Sequence, residues 1–197
     1  MELKIEKTIF SPEPEVVFSR YLEDFDLKME DLKDKAVLDV GSGMVPKFVE
    51  YCLENGITNK IYAIDHWPFG HEIKNLGDLQ YEFVSAEGAQ NLESKKHFIQ
   101  AEGGSLPIKR DFKFHLILMR ATLDHVSDVA GLLKEATAYL EHGGELRVCP
   151  VWAGYEAAKL QEVFNGLDKN YFDIEWRNDV VKRDMKDKPY LVIIRKK

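Results

Sequence analysis

In this chain of 197 residues, the residues best suited to chemistry lie where an apolar stretch runs into two glycines: Val37-Leu38-Asp39-Val40-Gly41-Ser42-Gly43-Met44. Glycine permits a tight turn and, having no Cβ, lets a ligand approach the backbone closely. A helix that starts just after such a turn aims its unpaired N–H groups past the end of the strand. Asp65 closes the next apolar stretch about 20 residues beyond the turn, a spacing at which a carboxylate can accept from both hydroxyls of a ribose. Turn and acid together point to a nucleoside-bearing cofactor and leave its identity open. The plainer reading makes Gly41-Ser42-Gly43 a simple strand-to-helix turn and Asp65 a helix cap. Strand, turn, helix and spaced acid in combination favour the ligand. A dinucleotide fingerprint would need a third glycine at position 46, where this chain has Pro46. The phosphate loop G-x-x-x-x-G-K-[ST] is not present.

The elements that must position these residues alternate along the chain. Residues 1–35 read as a helical lead-in or lid, with Ser11-Pro12-Glu13-Pro14-Glu15 as its capped start. Residues 36–197 form the main body. Ala36–Val40 is a short apolar run of the kind buried parallel strands show. Pro46–Asn55 is helical and stops at Gly56. Lys60–Ile64 is the second strand, His97–Ala101 the third and Phe114–Met119 the fourth. The stretch His66–Lys96 is expected to hold one or two helices. Asp128–Glu141 is an amphipathic helix ending at His142-Gly143-Gly144, and Glu145–Cys149 resumes as the fifth strand. A helix over Tyr155–Leu167 precedes strands at Phe172–Trp176 and Tyr190–Ile194. The gap Asn178–Pro189 is too short for a crossover helix with its turns, so these last two strands pair as an antiparallel hairpin. The expected fold is α/β: one Rossmann-like, doubly wound, three-layer α-β-α domain. Its seven-stranded sheet is mostly parallel with an antiparallel last strand.

Composition narrows the classes. The 34 acidic against 27 basic residues give a net charge of −7, which disfavours a phosphate-coating nucleic-acid binder. No apolar run approaches the roughly 20 residues that span a bilayer. Met1–Lys7 carries charge where an export signal needs an apolar stretch, so the cytoplasm is the expected compartment. Cys52 and Cys149 stand far apart, which gives no support to a disulfide framework or a cysteine zinc site.

The chain resembles the class I S-adenosylmethionine-dependent methyltransferases, in the branch acting on small molecules, from Asp34 to Lys197. Val37–Met44 is similar to the family's first motif and Ile61–Asp65 to its acidic second strand. Phe98–Ile108, with Ala101-Glu102-Gly103-Gly104-Ser105-Leu106-Pro107, resembles the stretch written G-D-A-x-x-L-P-F. Phe114–Val126, with Leu123-Asp124-His125-Val126, resembles the fourth-strand region, and Leu140–Leu146 resembles L-K-P-G-G-x-L. Three positions depart from the pattern: Val45 replaces a third glycine of the first motif, His115 replaces the acid that opens strand four, and His142 replaces the proline of the G-G turn.

The resemblance implies S-adenosyl-L-methionine as cofactor and S-adenosyl-L-homocysteine as product. It implies that Asp39, Gly41, Ser42 and Gly43 line the methionine end and that Asp65 binds the ribose. His66 or Trp67 would lie against the adenine, and Glu102 with the Gly103 backbone would meet its amino group. Met119 and Arg120 would sit at the exit of strand four near the sulfonium, and Arg120 has the fork to grip an acidic substrate. Substrate walls would come from Glu13–Phe25, Phe69–Lys96 and Trp152–Tyr155, with Tyr21, Phe25, Trp152 and Tyr155 as an aromatic lining.

Methyl transfer is an in-line displacement in which much of the work is positioning. A base is needed only where the acceptor must lose a proton to attack. His125, just past strand four, is the candidate base, with a structural role in its turn as the competing reading. The [DN]-P-P-[FY] signature of amino-methylases acting on DNA bases and protein glutamines is missing, and Met119-Arg120-Ala121-Thr122 stands in its place. The expected acceptor is therefore a small molecule or a saccharide- or lipid-linked intermediate. The alternatives are a catalytically silent cofactor-binding or scaffold protein of the same fold, and an RNA or protein methyltransferase. Asp65, His66 and His71 lack a second carboxylate cluster, so no metal is expected. The short insertions leave room for a second subunit to complete the pocket, as in a homodimer.

Overall fold

A computed structural model describes residues 12–43, 45–66, 71–77, 80–85, 97–101, 106–151, 155–179 and 189–197. The chain opens with helix α1 (Pro14–Asp24) and the short helix α2 (Met29–Leu32), then enters strand β1 (Val37–Val40). Helix α3 (Lys47–Glu54) leads to β2 (Ile61–Asp65), and β3 (His71–Gly77) and β4 (Gln80–Ser85) follow. Then come β5 (Phe98–Gln100), β6 (Phe114–Arg120), a 3-10 turn at Leu123–His125 and helix α4 (Val129–Ala138). Strand β7 (Leu140–Val151), helix α5 (Tyr155–Asn165), β8 (Phe172–Arg177) and β9 (Tyr190–Lys196) complete the order.

Seven strands form one sheet in the order β5-β2-β1-β6-β7-β9-β8. β1 runs parallel to β2 and β6, with Val40 opposite Ile64 on one side and Met119 on the other. β5 and β7 extend the parallel part outward. β9 is antiparallel to both of its neighbours, β7 and β8. The chain leaves β1 toward β2 and β5, then returns to build β6 and β7 on the opposite side. That reversal makes the carboxyl ends of β1 and β6 the topological switch point, where open α/β sheets hold their ligands.

The sheet is buried on both faces because successive side chains alternate. Leu38, Val40, Ile117 and Met119 pack with Leu132 and Leu133 of α4 and with Leu160 and Phe164 of α5. Val37, Ile61, Leu116 and Leu118 pack with Phe18, Tyr21 and Phe25 and with Phe48 and Cys52 of α3. This double burial explains why the parallel strands read as unbroken apolar runs.

Two sequence expectations are corrected. Where one or two helices are expected between His66 and Lys96, β3 and β4 fill 71–77 and 80–85 as a separate antiparallel pair, with His71 opposite Ser85 and Gly77 opposite Gln80; 67–70, 78–79 and 86–96 lie outside the described residues. In β4, Tyr81 and Phe83 around Glu82 alternate with a period of two and are residue types that favour strands. His142-Gly143-Gly144 does not separate a helix from a strand. α4 stops at Ala138, and β7 runs through the glycines, with its register against β6 slipping between Phe114 and Leu116. Gly143 takes φ +79°, the left-handed backbone that lets the strand absorb the slip. The amino end of α4 is set by Asp128, whose side chain accepts from the Gly131 N–H at 2.8 Å. Among the described residues no helix is long and apolar enough to cross a membrane.

Candidate functional site

The glycine turn leaves β1 at the switch point. Gly41 and Gly43 hold φ of +75° and +81°, values that L side chains rarely adopt. The Gly41 N–H donates to the Ile64 carbonyl at 2.7 Å, which ties the turn to β2. A Cβ at Gly41 would collide with the side chain of Thr122, whose hydroxyl donates to the Val40 carbonyl at 2.7 Å. A Cβ at Gly43 would meet nothing within 4 Å among the described residues. One glycine is thus required by packing and φ together, the other by φ alone and the open space beside it.

Asp65 ends β2 and is buried, with one oxygen accepting from the Gly43 N–H at 2.8 Å. Its other oxygen lies 3.2 Å from Nδ1 of His66, a half-exposed ring. Turn and acid, which the sequence holds 22 residues apart, therefore meet directly. Ser42 Oγ is buried beside them and has no hydrogen-bond partner among the described residues. An orphaned hydroxyl on an anion-attracting turn fits a polar ligand with donors and acceptors of its own.

Asp39 points to the α1 and α3 side of the sheet and is completely buried. Tyr21 of α1 donates its hydroxyl to both carboxylate oxygens, at 3.1 and 3.3 Å. The Tyr21 ring lies flat on Phe48 of α3, with centroids 4.2 Å apart. Burial pushes the Asp39 carboxyl up to about 7; the Tyr21 hydrogen bond and the Arg120 charge pull it down, and Asp65 pushes it up. Tyr21 itself is raised well above the ordinary phenol value by burial and by Asp39. Burial and Asp39 also push the Cys52 thiol up to about 12, which makes it an inert core residue.

Arg120 ends β6. Its Nε and Nη2 both reach Asp24 Oδ2 at 2.9 Å, and the guanidinium lies 5.4 Å from the centre of the Tyr21 ring. The next residue, Ala121, sits at φ +51°, an unusual backbone for alanine. Met119 is fully buried in the core on the α4 side. His125 is exposed at the end of the 3-10 turn, its backbone N–H donating to the Thr122 carbonyl. Trp67, Glu102, Gly103 and Trp152, with Met44 of the first motif, lie outside the described residues.

Asp24 and Thr122 were not singled out in the sequence. Asp24 stands three residues after Tyr21 on one helix face, and Thr122 follows the fourth strand directly. Only the fold reveals that they meet Arg120 and Gly41.

A family model described as a methyltransferase domain matches residues 16–168. The chain belongs to this methyltransferase family. Its methyl donor is S-adenosyl-L-methionine. No curated protein matches the chain. Among solved structures, a Streptococcus thermophilus rRNA methylase is similar at 16% identity and TM-score 0.54, over 96% of this chain and 98% of that one. The YcgJ protein of Bacillus subtilis is similar at 14% identity and TM-score 0.57, over 88% of this chain and 98% of its own. A Streptococcus mutans protein solved with S-adenosylhomocysteine gives 13% identity and TM-score 0.50, over 95% of this chain and 100% of that one. At such identities these structures establish a shared fold. In this methyltransferase the glycine turn, the buried Asp65 carboxylate and a Ser42 hydroxyl without a partner among the described residues are polar groups of the kind a nucleoside ligand can use.

Proposed function

We propose that this methyltransferase alkylates a small-molecule acceptor, or one carried on a saccharide or lipid. The observation that carries the reading is the attachment of α1 to both strands of the switch point. Tyr21 holds Asp39 of β1 and Asp24 holds Arg120 of β6. A helix fastened there walls one side of the crevice, which suits a compact acceptor better than a nucleic-acid surface. The net charge of −7 and the pairing of Arg120 with Asp24 support the same choice.

The donor supplies a sulfonium methyl with a neutral leaving group. Asp65 accepts from the ribose, while the turn backbone, Ser42 and Asp39 meet the methionine end. Trp67, Glu102 and Gly103 serve the adenine on the strength of their motif. The protein's principal contribution is to hold the acceptor in line, dry and close. His125 is the base for a hydroxyl acceptor; for an amine already deprotonated no base is needed.

Incubating the protein with donor carrying an isotopic methyl group and a cell extract split by size tests this reading. Label in the small-molecule or lipid fraction supports it. Label confined to RNA or protein overturns it, and binding of donor without any transfer points to a silent scaffold.

A further inference from the structure

We propose that Tyr21, from the N-terminal helix, is a positioning residue for Asp39: its hydroxyl fixes the direction and charge of the carboxylate at the methionine end of the site. The proposal rests on the reading of Asp39 as a cofactor residue. The geometry is specific. Both Asp39 oxygens face one hydroxyl, at 3.1 and 3.3 Å, and both residues are buried. The Tyr21 ring is fixed independently of that bond, stacked on Phe48 at 8° between planes and tilted against Phe25 at 5.6 Å. Arg120 lies over the same ring and is itself held by Asp24. The hydroxyl is thus delivered to Asp39 by a rigid platform, as an oriented donor in a site of low dielectric.

An ionised carboxylate has lone pairs for several donors, and a single phenol occupies only part of that capacity. On the proposed reading of the site, the remainder serves a cation such as the donor's α-ammonium. Burial alone would leave Asp39 protonated near neutrality and of little use to a cation. The groups that face it are Tyr21 from α1, Arg120 from β6, Asp65 from β2 and Cys52 from α3, with Asp24 acting on Tyr21 and Arg120 behind them. Of these, the Tyr21 bond and the Arg120 charge favour the ionised form. Tyr21 therefore keeps Asp39 able to bind a cation, while itself making no contact with the reacting atoms.

Tyr21→Phe removes the hydroxyl and keeps the stacked ring, and Asp39→Asn serves as the control. Calorimetric binding of S-adenosylhomocysteine, measured from about pH 6 to about pH 9, reads both. For Tyr21→Phe we expect affinity about three- to tenfold weaker near neutrality, with the binding midpoint moved to higher pH and the loss vanishing about two units above it. A loss that is equal at every pH means that the Tyr21 hydroxyl does not govern the charge of Asp39, and overturns the proposal, as does no loss at all. If Asp39→Asn binds as well as the parent, the reading of Asp39 fails and takes the proposal with it. If Asp39→Asn weakens binding while Tyr21→Phe does not, the site reading stands and the positioning role falls.

Discussion

Asp39 carries a stability cost that can be read from outside. In the unfolded chain it ionises at the ordinary carboxylate value; in the fold it is pushed up to about 7. Below the ordinary value both states hold the proton and the full stability is present. As pH rises toward about 7 the unfolded state ionises first and gains, so stability falls through that window and levels above it. We predict that Asp39→Asn, which cannot ionise, removes this slope. Above about pH 7 its stability should exceed the parent's by on the order of a few kcal/mol, read as a higher thermal midpoint. Tyr21, Arg120, Asp65 and Cys52 surround the group in both proteins, so the difference between the two melting curves isolates Asp39.

Asp65 should behave differently. Asp65→Ala takes the acceptor from the Gly43 N–H and from any ribose, at a cost to folding of only about 1 kcal/mol. We expect the thermal shift given by S-adenosylhomocysteine to vanish, with affinity at least about tenfold weaker. An unchanged shift would remove Asp65 from the ribose role. Both acids stand out in the sequence, Asp39 because it interrupts an apolar run and Asp65 because it ends one. The contacts that fasten α1 to the sheet do not: Tyr21 is 18 residues from Asp39, and Asp24 is 96 from Arg120. Nothing local signals pairs at those separations.

Among the elements, the β1 turn makes a graded prediction. Gly41→Ala and Gly43→Ala both force a left-handed alanine, which costs about 1–2 kcal/mol each. Gly41→Ala must also displace Thr122 and with it the hydrogen bond to Val40, adding about 1 kcal/mol. Urea unfolding should therefore rank Gly41→Ala below Gly43→Ala; equal midpoints would mean that Thr122 yields freely. The same scale shows where sequence reading works. Parallel strands buried on both faces, such as Val37–Val40 and Phe114–Arg120, announce themselves as continuous apolar runs. In β3, Ile73 and Leu76 stand three residues apart, a helical spacing, and only the short β4 alternates as a strand does. The strand through His142-Gly143-Gly144 was hidden because glycines commonly end elements, and only the pairing with β6 keeps this one extended.

At the scale of the molecule, the division into a lead-in of residues 1–35 and a body of 36–197 has an energetic test. Phe18, Tyr21 and Phe25 of the lead-in belong to the same core cluster as Val37, Phe48 and Leu118. Each buried aromatic is worth about 1.5–3 kcal/mol, so removing residues 1–35 should strip several kcal/mol from a protein whose total is about 5–15 kcal/mol. We predict that the shortened chain loses its cooperative melting transition in calorimetry. A sharp transition near the parent's would make the lead-in a dispensable cover. The doubly wound order and the antiparallel end were legible because parallel strands need long crossovers and the gap before Tyr190 is too short for one.

The place of β9 between β7 and β8 has a consequence in time. A chain emerges from the ribosome amino end first, so Phe172–Arg177 leaves the tunnel before Tyr190–Lys196, the strand that joins it to the rest of the sheet. Until β9 is released, β7 presents an open edge beside the half-built ligand crevice, and β8 has nothing to pair with. The nascent protein is thus exposed to wrong strand pairing until β9 has emerged, and the sheet is completed only when β9 inserts between β7 and β8.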